Sequence, residues 1–467
     1  MMPPKWHAAS ALVITLIATA GGSTVVQAQR ATLEAIVHRQ TLDNGMDVVV
    51  VENHAVPIAT VEVVVKTGAM SQMPDDQGVP HLFEHMLFKG YRGDGGREFM
   101  EEAATLHASY NGTTSQEQVT YFLTLPSRRT DDAMRVLARL VRDPHFEGAD
   151  LNKERFVVLG EFNRDVSDPR FHLQNELSQL LWGDQWPRKN TLGDQMALLA
   201  VTPAHLKTIF ERYYVPNNAA LVVSGDVDPT KVFSMAADRF GGWKRAADPY
   251  AAFPVPPMPP LASSQAVVVT GDVNDITIEI QWQGPSVRSN TDDTFAADVF
   301  SAFVDDEQSA MQKRLVDSGI FHTASFGYQT LDHTGPITFV GTTSMDKLAG
   351  ALTVLQAELM SMSTDDYFDP ELLKVVEKRR SVATAFELEE SIGLAHTVGY
   401  WWSVAGLDYY LGYADNLSKR SAADLSGFVA RYLNGKPFVI GVLTPEKEAP
   451  KVRAFLGQYL QMVSASR

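Results

Sequence analysis

The chain has 467 residues, 45% hydrophobic and 21% charged, enough to bury two or more ordinary cores; this excludes a short hormone, a collagen-like fibre and a mostly disordered tail. With 56 acidic against 40 basic residues the formal charge is -16 at pH 7, so no global field draws in nucleic acid or anionic lipid. The absence of cysteine removes disulfides, thiolate metal sites and cysteine nucleophiles together, and any metal must sit on histidine and carboxylate.

In chain order, the first segment reads as an export signal. Lys5 precedes an apolar run from Ala8 to Ala20, and Val26-Gln27-Ala28 supplies the small residues a signal peptidase needs, with cleavage before Gln29. The run is too short for a stable membrane anchor, no later segment reaches spanning length, and export without cysteine fits a periplasm. Met46 to Glu52 and Thr60 to Lys66 are rich in β-branched residues between turn signals and predict strands. Val79 to Phe88 predicts a helix, with Pro80 in its first turn and Lys89-Gly90 as a cationic last turn and left-handed stop. Val119 to Leu125 predicts a strand, and Thr130 to Val141 and Leu151 to Asp165 predict helices. Strands mixed with long helices in this order place the domain in the α+β class.

Six prolines lie between Pro249 and Pro260, a run that cannot feed donors into a sheet or helix interior. Residues 249–263 therefore read as a semi-rigid linker between an N-terminal domain, 29–248, and a C-terminal domain, 264–467. The halves echo one another: Leu206, Arg212 and Tyr213 recur as Leu425, Arg431 and Tyr432, each before a hydrophobic strand, Ala219 to Val223 and Phe438 to Leu443. A duplicated domain is the expectation.

The string that carries chemistry is Gly78 to Gly90. On a helix His81 and His85 are four apart and stack on one face with Glu84 beside them, so two imidazoles can bind one metal while a carboxylate stands next to the open position. Leu82, Phe83, Met86, Leu87 and Phe88 make this helix strongly apolar, and burying unpartnered imidazoles there would cost several kcal/mol. Zinc needs a third protein ligand. The Leu151 to Asp165 helix offers Glu154 and Glu161, seven apart on one face, one to ligate and the other to orient; spacing does not choose between them.

These residues resemble the inverted-motif zinc peptidases of the pitrilysin and mitochondrial processing peptidase family, the inverzincins. Gly78 to Gly90 is similar to that family's active helix almost residue for residue, and the resemblance is strongest between Leu42 and Gly242. It implies two homologous α/β-layered domains, each a mostly antiparallel sheet with helices, enclosing a peptide-binding cavity together with a partner. It also implies zinc on His81, His85 and Glu161, Glu154 behind the ligands, and Glu84 as the catalytic base of a zinc metalloendopeptidase. Asn111-Gly112-Thr113-Thr114 resembles the family's edge strand, which binds an extended peptide by strand addition. Glu117 stands where the family more often shows aspartate.

The second half departs from the pattern. Active relatives use an arginine and a tyrosine seven apart, reaching over from a C-terminal domain; here Arg314 pairs with Phe321, and the other register gives Leu315 and His322. Tyr328 nearby reads as a strand residue. The implied remedy is a homologous non-zinc subunit that supplies the pair, in a heterodimer acting on peptide. A non-catalytic scaffold of the same fold is the alternative, as is a periplasmic zinc-binding protein, which would release metal without hydrolysing peptide. His107, His145, His172, His205, His333 and His396 lack ligand spacing and read as surface or core fillers; Trp401-Trp402 reads as packing, and Glu387, Glu389 and Glu390 as a solvated helix face.

Overall fold

The structure, a computed structural model, describes residues 30–387 and 390–465. The expected export signal at 1–28 and Glu389 lie outside the described residues. Two sheets dominate. The first contains β1 (Val37–Thr41), β2 (Asp47–Glu52), β3 (Ile58–Val65), β4 (Ser109–Thr114), β5 (Val119–Pro126) and β6 (Ala219–Gly225), in spatial order β1-β2-β6-β3-β5-β4. The second contains β7 (Gln265–Thr270), β8 (Ile276–Gln283), β9 (Thr323–Tyr328), β10 (Pro336–Thr343) and β11 (Val439–Thr444), in order β7-β11-β8-β10-β9. Only β2 with β6 and β7 with β11 run parallel; the other neighbours are antiparallel.

Without β1 the two sheets match strand for strand, β2 with β7, β6 with β11, β3 with β8, β5 with β10 and β4 with β9. The expected two homologous α+β domains are what folds, and of the repeated residues Leu206 and Leu425 are both fully buried in their cores, whereas Tyr213 is buried in the first core and Tyr432 only packs against the second. Each expected element forms within three residues of its expected ends.

β2 shows why the sheets need cover on both faces. Its Val48-Val49-Val50-Val51 run is apolar without alternation, which suits a strand with no wet side. Val48 and Val50 face the domain's own core, which includes residues of helices Val79–Gly90, Thr130–Arg142 and Pro229–Phe240. Val49 and Val51 face Leu394, Ala395 and Val398 of helix Ser391–Val404, contributed by the other half of the chain. The exchange is reciprocal: Leu173, Leu177 and Leu181 of helix Pro169–Trp182 cover Val439 and Leu443 of β11. Division at the linker does not anticipate this swap of outer layers. Pro249–Ala252 forms one short helix, and the chain from 253 to 264 crosses between the sheets without a regular element.

Candidate metal centre

Helix Val79–Gly90 starts at Gly78, whose left-handed φ of 85° suits glycine, and continues with Pro80 in its first turn. Gln72, a residue the sequence did not single out, fixes that start: its Oε1 accepts the Gly78 N–H, and its Nε2 donates to the Asn190 carbonyl at 2.9 Å. A lone glutamine carries no local signal for such a role, since its second partner, Asn190, is 118 residues away. The expected left-handed stop at Gly90 is not how the helix ends. Gly90 is the last helical residue and is not among the positive-φ glycines; the next residue, Tyr91, is extended. A Cβ at Gly90 would lie 2.3 Å from the His145 carbonyl oxygen, so glycine is needed there for close packing.

The helix buries Leu82, Phe83, Met86 and Leu87 in the core, which rotates His81, Glu84 and His85 to the half-buried side facing helix Gly148–Val166 and β4. One donor atom each from His81, His85 and Glu161 lies within 4.8 Å of the others, and this is the one such histidine–carboxylate cluster among the described residues. His81 Nε2 and His85 Nε2 stand 3.5 Å and 3.6 Å from Glu161 Oε2. Donors about 2.0–2.2 Å from a tetrahedral zinc ion are separated from one another by about 3.3–3.6 Å, so both separations from Glu161 Oε2 fit that ion.

The neighbours favour the same use. His85 Nδ1 donates to Glu154 Oε2 at 3.2 Å, which leaves the Nε2 lone pair free to face Glu161 and His81. Glu154, with a side chain only 9% exposed, is also 3.5 Å from Lys89 Nζ through its other oxygen. The two acids that spacing could not separate thus occupy different positions, Glu161 toward both Nε2 atoms and Glu154 toward Nδ1. Burial, and then the nearby His85, lower the His81 pKa, keeping that imidazole neutral and able to offer a lone pair.

Glu84 is largely desolvated, which raises its pKa, while Thr114 opposes the shift by donating its hydroxyl to Glu84 Oε2 at 2.8 Å. Thr114 ends β4, an edge strand paired only with β5. Gly112 of the same strand lies against the carboxylate: a Cβ there would come within 2.7 Å of Glu84 Cγ. Asn111 and Thr113 are exposed; Asn111 Oδ1 accepts from the Gly112 N–H, and the Thr113 hydroxyl meets that of Thr120 at 2.8 Å. The four residues singled out on this strand are therefore divided: Gly112 and Thr114 touch Glu84, and Asn111 and Thr113 face outward.

The C-terminal candidates lie elsewhere. Arg314 pairs with Glu358 of its own domain at 3.1 Å, Leu315 and Phe321 are buried in the second core, and His322 is beside Asp275 at 3.6 Å. Tyr328 donates to the Pro285 carbonyl at 3.0 Å. Two histidines read as fillers do more: His396 Nδ1 meets Glu62 at 2.7 Å and His333 Nδ1 meets Glu117 at 3.1 Å, each across the two halves. Trp402 packs over β2, β3 and β6 and donates Nε1–H to Asp47 at 2.9 Å.

The Insulinase (Peptidase family M16) profile matches residues 47–195, and the Peptidase M16 inactive domain profile matches 200–378. The chain belongs to the M16 peptidase family. A relative from Rickettsia felis, an uncharacterized zinc protease, is 26% identical over 204 residues, 44% of this chain and 50% of that protein. The chain spans about half the length of the curated relatives it matches. Among solved structures, a protease from Helicobacter pylori superposes with a TM-score of 0.77 at 21% identity, covering 88% of this chain and 99% of that one. The periplasmic protease PqqL of Escherichia coli superposes at 0.73 with 17% identity, covering 89% of this chain and 48% of that one. Both structural likenesses concern the fold. No helix of the described residues is long and apolar enough to cross a membrane.

Proposed function

We propose that this M16 chain is a zinc-dependent endopeptidase that hydrolyses extended peptides. The observation that carries the reading is the convergence of His81, His85 and Glu161 on one point, with the half-buried Glu84 carboxylate on the same helix face. Zinc on those three side chains would supply Lewis acidity toward a carbonyl and make water acidic near neutral pH. Glu154 holds the His85 ring so that Nε2 faces inward. Glu84 takes a proton from the attacking water and returns it to the leaving amine; burial makes its carboxylate more basic, which favours the first transfer.

Peptide docks along the free edge of β4, adding a strand through the backbone at Asn111 to Thr114. The catalytic unit in this reading is 29–248, with 249–263 connecting it to the homologous unit 264–467. A homologous non-zinc subunit supplies the missing arginine and tyrosine; the engagement of Arg314 with Glu358 and the burial of Phe321 support that assignment. The periplasm is the proposed compartment, supported by the signal-like sequence at 1–28 and by the periplasmic likeness.

The deciding experiment is hydrolysis of a quenched peptide with and without chelator, by the chain alone and with its homologous partner. Glu84→Gln is expected to retain zinc and to lose turnover on the order of 10²–10⁴-fold, because an amide cannot accept the proton. Metal retention without hydrolysis by the unaltered complex would overturn the peptidase reading in favour of a scaffold.

A further inference from the structure

The β4–β5 turn does two things at once. At its start, Thr114 contacts Glu84; at its tip, Glu117 reaches into the second domain. The Glu117 side chain is 2% exposed, and both its oxygens are used: Oε2 accepts the Asp332 N–H at 2.7 Å, and Oε1 accepts the His333 N–H at 2.9 Å and its Nδ1–H at 3.1 Å. Asp332 and His333 lie in the loop joining β9 to β10, the hairpin that occupies in the second sheet the place of β4–β5 in the first. Lys189 grips the same loop, donating to the Thr334 carbonyl at 2.6 Å. The two equivalent hairpins therefore meet tip to tip, with a buried carboxylate as the joint.

Between joint and base the chain has little slack. Ser115 N–H donates to the Gln118 carbonyl at 2.9 Å, and the Ser115 hydroxyl accepts the Gln118 N–H at 3.2 Å. Met70 N–H donates to the Gln116 carbonyl at 2.8 Å. These bonds tie the turn that carries Glu117 to the end of β4, where Thr114 and Gly112 touch Glu84.

We infer that Glu117 is a positioning residue for hydrolysis: by latching the β4–β5 tip to the β9–β10 loop, it holds the peptide-binding edge strand in register with Glu84 when the second domain is docked. This rests on the peptidase reading above. Charge-assisted bonds from a buried carboxylate to backbone donors are strong enough to fix such a joint, and small misplacements of a reacting group cost rate steeply.

The test uses the full zinc-loaded chain, with its partner where activity requires one, in the Glu117→Ala and Glu117→Gln forms. Backbone hydrogen exchange is followed over 109–114 and 330–335, together with zinc content and the kcat and KM of a quenched peptide. The expected result is unchanged zinc, faster exchange in both segments and a kcat/KM lowered about ten- to a hundredfold in Glu117→Ala. Glu117→Gln keeps one acceptor and should fall between. Faster exchange confined to 330–335, with β4 exchange and kinetics as in the unaltered protein, would overturn the inference and reduce Glu117 to a domain tie. If the unaltered protein cleaves nothing, the peptidase reading fails separately, and exchange in β4 still decides whether the latch reaches that strand. Should Glu117→Ala not fold, His333→Ala removes one of the three bonds to Glu117 and is expected to shift the same readouts less.

Discussion

A methyl group at position 112 has nowhere to go, since its carbon would lie 2.7 Å from Glu84 Cγ and 3.1 Å from Phe88 Cε2. Either the edge strand or Glu84 must move. Gly112→Ala is therefore expected to lower peptide turnover about ten- to a hundredfold while leaving zinc content unchanged, as read by a quenched-peptide assay beside metal analysis. Wild-type turnover would show that β4 need not lie against Glu84. Glu154 is a different case, because it touches His85 and not Glu84. Glu154→Ala frees the His85 ring to rotate and should weaken zinc binding by about 10–100-fold in a chelator competition. Unaltered affinity would mean that helix packing alone orients the ring. Which glutamate faces the two Nε2 atoms depends on how helix Gly148–Val166 crosses helix Val79–Gly90. For that reason His81, Glu84 and His85 were legible in one turn of sequence, whereas the roles of Glu154 and Glu161 came only with the family resemblance.

The exchanged helices show the limit of periodicity at the level of elements. Leu173, Leu177 and Leu181 make an apolar stripe with a four-residue step, so the helix and its buried side are readable from sequence. The sheet it covers is not, because a stripe specifies a face and not a partner. Leu177 is fully buried, and Gly441 on β11 lets it approach closely: a Cβ there would meet Leu173 Cδ1 at 2.5 Å and Leu177 Cδ1 at 3.0 Å. Leu177→Ala is expected to cost about 2–5 kcal/mol in a urea titration. Because the helix belongs by sequence to one domain and by packing to the other, the loss should shift a single transition for both domains. Two separate transitions would indicate that the outer layers do not couple them. Strands such as β2 were easier, since β-branched runs bounded by turns announce themselves locally.

At the scale of the whole molecule, contacts between the halves join residues hundreds of positions apart, and nothing local in a sequence marks them. His396 looked like a filler because its partner, Glu62, is 334 residues away. The pair ties helix Ser391–Val404 to β3, with His396 also edge-on to Phe122 at 4.6 Å. Its pH dependence follows from two shifts of the same sign. The hydrogen bond to Glu62 raises the His396 pKa from 6.5, and burial raises the Glu62 pKa above 4.5 by more than the imidazole lowers it. For His396 the stabilisation is fully present below pH 6.5 and is lost as pH rises through the raised folded-state value. Glu62 acts in the same direction, because its folded state holds the proton more tightly than the unfolded chain and loses that advantage as pH rises through its own raised value. Docking of the two halves should therefore weaken as pH increases beyond 6.5. Thermal unfolding of the unaltered chain and of His396→Ala, compared across that range, measures it. The stability difference between the two is expected to be largest on the acid side and to shrink toward the basic side, and a difference that stayed constant or grew with pH would reverse the assignment.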